Sequence, residues 1–295
     1  MIAAAALLSA FDLHAQSPTS AKALRESLLK ADRAFSATVL SKGISAGFSE
    51  VASPNAIFLY NGAPVIAGRA NIVALLDAQP TLSQNRIQWL PLVAAVSSDG
   101  SLGATWGAIS IRPASQDTTA ARFGKYISTW RRAASGAWEL ASFVEMGLSD
   151  QKVVLPTSLA NALTSANASS GSGAAFAKAD LDFSRMAGAS GAAKAFGKFA
   201  APDAMTLPGT GEIVVGPSAI EARMVESPAA KAKWEWHPVY SEGSTAGDLG
   251  FTVGEATIAV PGANGVTNYK SKYLTIWRRQ PDGSIRYIVD GGNER

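Results

Sequence analysis

The chain carries one domain-length sequence twice, and that constrains its fold more than any other feature. The run Lys30-Ala31-Asp32-Arg33-Ala34-Phe35-Ser36 returns as Lys178-Ala179-Asp180-Leu181-Asp182-Phe183-Ser184, an offset of 148 residues. At the same offset Gly43 matches Gly191, Phe48 matches Phe196, Pro54 matches Pro202, Gly68 matches Gly216 and Ile72 matches Ile220. One residue is then lost. At an offset of 147, Trp89-Leu90-Pro91 matches Trp236-His237-Pro238, Gly107 matches Gly254, and Tyr126, Trp130, Arg131 and Arg132 match Tyr273, Trp277, Arg278 and Arg279. Stacked-repeat proteins have periods of roughly 20 to 50 residues. A period this long therefore predicts two complete domains, each with its own core.

Each copy shows the same order of elements. In the first, Leu24, Leu28, Ala31, Phe35 and Val39 recur at helical spacing with charged residues between them, which predicts an amphipathic helix over 21–40. A second helix is expected over 44–50, a strand over 56–60 turning at Asn61-Gly62 into a return strand over 64–66, and a third helix over 70–78 that Pro80 ends. Four long strands follow, over 86–97, 102–112, 121–132 and 137–146, with turns at Ser98-Asp99-Gly100 and Ser135-Gly136. Helices followed by a run of long strands predict an α+β fold, here two tandem domains in each of which one face of an antiparallel sheet takes about three helices and curls around them. The expected boundaries are 18–148 and 175–295. Between them 149–174 ends in Ser169-Ser170-Gly171-Ser172-Gly173, a composition expected of a flexible tether.

Residues 1–17 combine the apolar run Ile2 to Leu8 with the small residue Ala15. They are expected to be a secretory signal, and the protein periplasmic or secreted. No other stretch is apolar for long enough to span a membrane. Cysteine is absent and the two histidines are His14 and His237, which leaves no thiol chemistry, no disulfide and no clustered metal-ligand motif. No metal and no cofactor are expected. Basic residues such as Lys42, Arg69, Arg86, Arg112 and Arg122 are scattered, so no nucleic-acid partner is expected.

The element order, the Ala-Asp-x-x-Phe start of the first helix, the Gly before the third helix and the Tyr-x-x-x-Trp-Arg-Arg strand resemble the SnoaL-like, nuclear transport factor 2-like superfamily. The branch they are most similar to is the one called domain of unknown function 4440. The resemblance implies two tandem cone-like domains, each a curved antiparallel sheet wrapped around about three helices with a pocket at its open end, a fold on which isomerases, dehydratases, cyclases and pure interaction domains are all built. It does not imply a ketosteroid-isomerase-like site, because the first helices present Phe35 and Phe183 and the first strands end in Leu59-Tyr60-Asn61 and Leu207-Pro208-Gly209 without an acidic base.

Three ionisable side chains from three strands of the second copy, His237, Tyr273 and Asp290, are the candidate catalytic set: His237 as acid or base, Asp290 orienting it, Tyr273 donating a hydrogen bond. The first copy has Leu90, Tyr126 and Phe143 there. The plainer alternatives make His237 an exposed strand residue and pair Asp290 with Arg286. Asp32 and Asp180 are shared by both copies, and each is expected at a cavity rim or bonded to a strand backbone or an Arg. Trp89, Tyr126, Trp130, Trp236, Tyr273 and Trp277 are the candidate ligand-binding wall, with Trp106 and Trp234 beside them on the long strands. Ile127, Thr129, Leu274 and Ile276 alternate with that stripe, so one face is expected to line a pocket and the other to pack the copies into an intrachain pseudo-dimer. Arg131-Arg132 and Arg278-Arg279 are expected as surface charge. The function expected is binding of a small apolar ligand or a protein partner. The alternatives are a lyase, isomerase or hydrolase working in the second copy, and a purely structural pseudo-dimer.

Overall fold

A computed structural model describes residues 20–114, 121–153, 173–227 and 230–295. The expected signal at 1–17 and most of the expected tether lie outside the described residues. In the first half the order is α1 (Ala21–Lys42), α2 (Ile44–Val51), β1 (Ala52–Leu59), β2 (Ile66–Ala67), α3 (Arg69–Asp77), α4 (Pro80–Ser83), β3 (Asn85–Val96), β4 (Leu102–Pro113), β5 (Arg122–Arg132) and β6 (Trp138–Ser149). The second half repeats it, with no counterpart of α4 among the described residues: α5 (Gly173–Ser190), α6 (Ala192–Phe199), β7 (Ala200–Leu207), β8 (Val214–Val215), α7 (Pro217–Val225), β9 (Lys233–Gly243), β10 (Leu249–Gly262), β11 (Gly265–Arg279) and β12 (Ile285–Glu294). Two six-stranded sheets result, in the orders β2-β1-β6-β5-β4-β3 and β8-β7-β12-β11-β10-β9. Each carries its helices on one face, a two-domain α+β fold.

Two local expectations change. Pro80 does not merely end the third helix, which stops at Asp77; it opens the four-residue α4, as suits a residue whose missing N–H is unneeded in a first helical turn. The sheets are also mixed rather than antiparallel, because β1 pairs with β6 in parallel and β7 with β12 likewise. A hairpin forces antiparallel pairing, but these partners are separated by four strands and at least one helix, a connection long enough to permit either direction.

The alternation along the long strands divides the core as their two faces demand. On one face of the first sheet, Trp89, Tyr126, Trp130 and Phe143 enclose Phe35 and Phe48 from the helices. On the other, Ile57, Ala104, Trp106, Ile127, Val144 and Met146 join Met205, Phe251, Val253, Leu274, Ile276 and Val289 of the second domain in one continuous cluster. The two sheets therefore meet back to back. Trp106 belongs to this seam and not to a pocket wall: it is 1 % exposed and its Nε1 points at Met205 Sδ, 3.3 Å away. Polar contacts ring the seam. Asp248 accepts from Ser98 N at 2.8 Å while Asp99 accepts from Ala246 N at 2.7 Å, a reciprocal capping of the two equivalent turns. Arg131, expected as surface charge, instead grips Glu242 across the seam through Nε at 2.6 Å and Nη2 at 2.5 Å. Arg278 grips Asp203 within its own domain.

This seam makes a prediction about the connection over 149–174. Limited proteolysis is expected to cut there first, since composition marks it as a tether. The two fragments should stay together on size-exclusion chromatography without denaturant, because separating them would expose the shared apolar cluster. Fragments eluting apart would show the seam to be weak.

Candidate functional site

The strongest constellation in each domain starts from the duplicated Asp of the first helix. Asp32 on α1 and Asp180 on α5 are 0 % and 1 % exposed. Each buried carboxylate accepts two side-chain hydrogen bonds from the sheet. Asp32 takes them from Trp89 Nε1 and Tyr126 Oη, both at 2.7 Å; Asp180 takes them from Trp236 Nε1 and Tyr273 Oη, both at 2.8 Å. One turn further on, Ser36 and Ser184 hydrogen-bond the backbone of the same tryptophans. Helix one is thus riveted to the sheet by polar groups that would each be costly to bury alone. Burial raises both carboxyls above their ordinary range, and the donors from Trp, Tyr and Thr pull partly back. Tyr273 lies directly over Gly254, where a Cβ would come within 2.2 Å of the phenol oxygen, so only glycine leaves room for the ring.

Beyond that shared rivet the domains differ at several inward positions, where Phe58 and Ile109 of the first become Thr206 and Ala256 of the second, and on the last strand the difference brings in an ionisable group. In the first, Ser128 on β5 faces Phe143 on β6; in the second, Thr275 on β11 faces Asp290 on β12. Phe143 stacks on Tyr126, with centroids 5.6 Å apart and planes 15° apart, and also meets Phe35, Phe48, Phe58 and Trp89. That ring fills the first domain's interior. The second domain instead borders a cavity of about 810 Å³ whose apolar wall includes Phe183, Phe196, Ile220, Met224, Trp236 and Ala256. Asp290 lies in this wall beside Tyr273 and Thr275. It accepts from Thr275 Oγ1 at 2.5 Å. Burial, with the charge of Asp180 as a further cause, pushes its carboxyl up to about 7. The indole N–H of Trp234, also in the wall, has no hydrogen-bond partner among the described residues.

The candidate catalytic trio is therefore divided. Tyr273 and Asp290 share the cavity, but neither bonds to His237, which is exposed, points to the face of β9 opposite Trp236, and lies in register with Glu255. Alternation on the strand explains this: Trp236 points inward, so its neighbour points out. Asp290 pairs with Thr275 and not with Arg286, which donates to Lys198 O. Of the six candidate ligand-binding aromatics, Trp236 and Tyr273 line the cavity. Trp89, Tyr126 and Trp130 are packed inside the first domain, and Trp277 is fully buried with its Nε1 donating to Thr252. Asp32 and Asp180 sit not at a rim or on an Arg but at the centre, on Trp and Tyr. The repeat itself carried that signal, since acceptor and both donors recur together. Among the described residues no cluster of three or more His, Asp or Glu could hold a metal.

The raised carboxyls set an expected pH dependence. Asp290 in the folded protein titrates near 7, against about 4 in an unfolded chain. Between those values the folded state holds a proton that the unfolded state releases, so this group's contribution is full below about pH 4 and is lost as pH rises through about 7. Asp32 and Asp180 are shifted in the same direction. Urea denaturation is expected to show higher stability at about pH 5 than at about pH 8, with a smaller difference in Asp290→Asn. An unaltered difference in that variant would mean Asp290 ionises normally.

No protein-family model matches the chain, and no curated protein matches it. Solved structures do. One described as a candidate calcium/calmodulin-dependent protein kinase II association domain from Xanthomonas campestris is 19 % identical, with a TM-score of 0.36 over 44 % of this chain and 94 % of that one. An NTF2-like protein with a cystatin-like fold from Novosphingobium aromaticivorans is 14 % identical, with a TM-score of 0.34 over 41 % of this chain and 80 % of that one. A candidate dehydratase of the NTF2-like family from Streptomyces avermitilis is 18 % identical, with a TM-score of 0.34 over 42 % and 95 %. Each of these structures aligns with somewhat less than half of the chain.

Proposed function

We propose that the protein binds a small, largely apolar ligand in the cavity of its second domain, and that the first domain serves as the fixed half of a pseudo-dimer. One observation carries this reading: where the first domain places the ring of Phe143, the second places Asp290 and leaves about 810 Å³ of space. That volume lies within the range of small-molecule sites, which are mostly apolar with a few convergent polar groups. Titration with the neutral fluorophore N-phenyl-1-naphthylamine should saturate at one site per chain. Two equal sites per chain would contradict the division of labour between the domains.

A second reading makes the same cavity catalytic, as a lyase, isomerase or hydrolase. It is favoured by Asp290, a carboxyl that burial holds near neutrality and that can therefore give or take a proton at physiological pH. Asp290→Asn separates the two readings, since it should abolish turnover and preserve fluorophore binding. The exported location rests on residues 1–17, and sequencing the amino terminus of the mature protein tests it.

A further inference from the structure

We propose that the first domain controls access to the second domain's cavity, by pinning the loop over 208–211 that forms part of its wall. This rests on the ligand-binding reading above. Pro208, Gly209 and Thr210 line the cavity, and so do Asn61, Arg122, Glu145 and Gly147 of the first domain, so the site is incomplete without both halves. The loop follows β7, has no regular secondary structure, and is exposed over Gly209 to Gly211.

Two contacts from the first domain hold it. Lys125 on β5 is 3 % exposed, and its Nζ donates to Pro208 O at 2.8 Å. A buried ammonium has given up its water, so this carbonyl is a partner it cannot lose without penalty; burial correspondingly lowers its pKa. Gly147, two residues before the end of β6, has φ +47°, and a Cβ there would lie 1.6 Å from Gly209 O. Backbone thus rests on backbone, leaving the loop nowhere to settle inward. The other side of the same end is tied as well: Asn293 Nδ2 donates to Leu59 O at 2.7 Å and Glu145 O at 3.0 Å, and Gly62 N donates to Glu294 O at 3.0 Å. A ligand entering past this loop must displace contacts that belong to the first domain.

The test is the release rate of N-phenyl-1-naphthylamine from the full chain by stopped-flow fluorescence. Lys125→Met keeps the apolar stem and removes the donor; it is expected to speed release about tenfold or more and to raise amide exchange at residues 209–211. Gly147→Ala, which pushes on the loop at Gly209, should also speed release, and it serves if Lys125→Met does not fold. Arg131→Gln loosens the seam at the opposite end of β5 and should leave release unchanged. Unchanged release in both loop variants, with the fluorophore still bound, overturns the inference and leaves the ligand-binding reading intact. Equal acceleration in Arg131→Gln overturns it too, by assigning the effect to the whole seam. Failure of the wild-type protein to bind the fluorophore, or binding indifferent to Asp290→Phe, overturns the ligand-binding reading itself.

Discussion

Asp290→Phe is expected to abolish binding in the second domain while leaving the protein folded. The first domain already shows the outcome: Phe143 stands at the corresponding register position, opposite Ser128 where Asp290 stands opposite Thr275, and its ring packs among Phe35, Phe48, Phe58 and Trp89. In the second domain Phe183 and Tyr287 are within reach of the same interior, stacked with centroids 5.7 Å apart. The substitution removes a carboxyl that burial disfavours and replaces it with a ring that buries apolar surface worth about 2 kcal/mol. Affinity for N-phenyl-1-naphthylamine should fall by about a hundredfold or more, corresponding to roughly 3 kcal/mol, while the thermal midpoint holds or rises. A variant that binds as the wild type does would place the ligand outside this cavity.

Ile276→Lys is expected to be the most damaging single change in the seam. Ile276 is 1 % exposed, alternates with Thr275 and Trp277 of the inner face, and joins Ile127, Trp106 and Met146 of the first domain in the continuous cluster. A lysine there would put an unpaired charge between two sheets, a loss on the order of 3–5 kcal/mol if the seam stays closed. The protein can avoid part of that by opening the seam. Small-angle scattering should then show a larger radius of gyration, while the far-ultraviolet circular dichroism of each domain persists. A compact, wild-type profile would mean that the seam is less tightly packed than its burial indicates.

What the two domains do with their shared scaffold turns on details at three different ranges. Pocket and filler differ by a few residue pairs, Asp290 against Phe143, Thr206 against Phe58 and Ala256 against Ile109. Seam and pocket differ by one step along a strand, as Leu274 does from Tyr273. The wall of the site depends on a lysine 83 residues away in sequence from the carbonyl it holds. Each of these is decided by packing across elements and not by the residues adjacent in the chain.

The sequence by itself determined the duplication, the order of elements in both halves apart from the short α4, and which strand residues share a face, because these follow from periodicity and from turn chemistry local to each segment. It likewise placed Ile127, Leu274 and Ile276 on the face opposite Tyr126 and Tyr273, since strand alternation is a property of the backbone alone. Tertiary structure decided the rest. The parallel pairing of β1 with β6 needed the whole chain between them, and the outward turn of His237 followed from Trp236 being claimed by Asp180 across 56 residues. Asp32 and Asp180 were visible as a repeated pair, yet their partners were not, because a buried carboxylate is satisfied by whichever donors the sheet brings over the helix. The cavity was the least legible feature. A space is defined by side chains that fail to meet, and whether they meet depends on how the sheet curves around the helices and on what the neighbouring domain presses against its mouth.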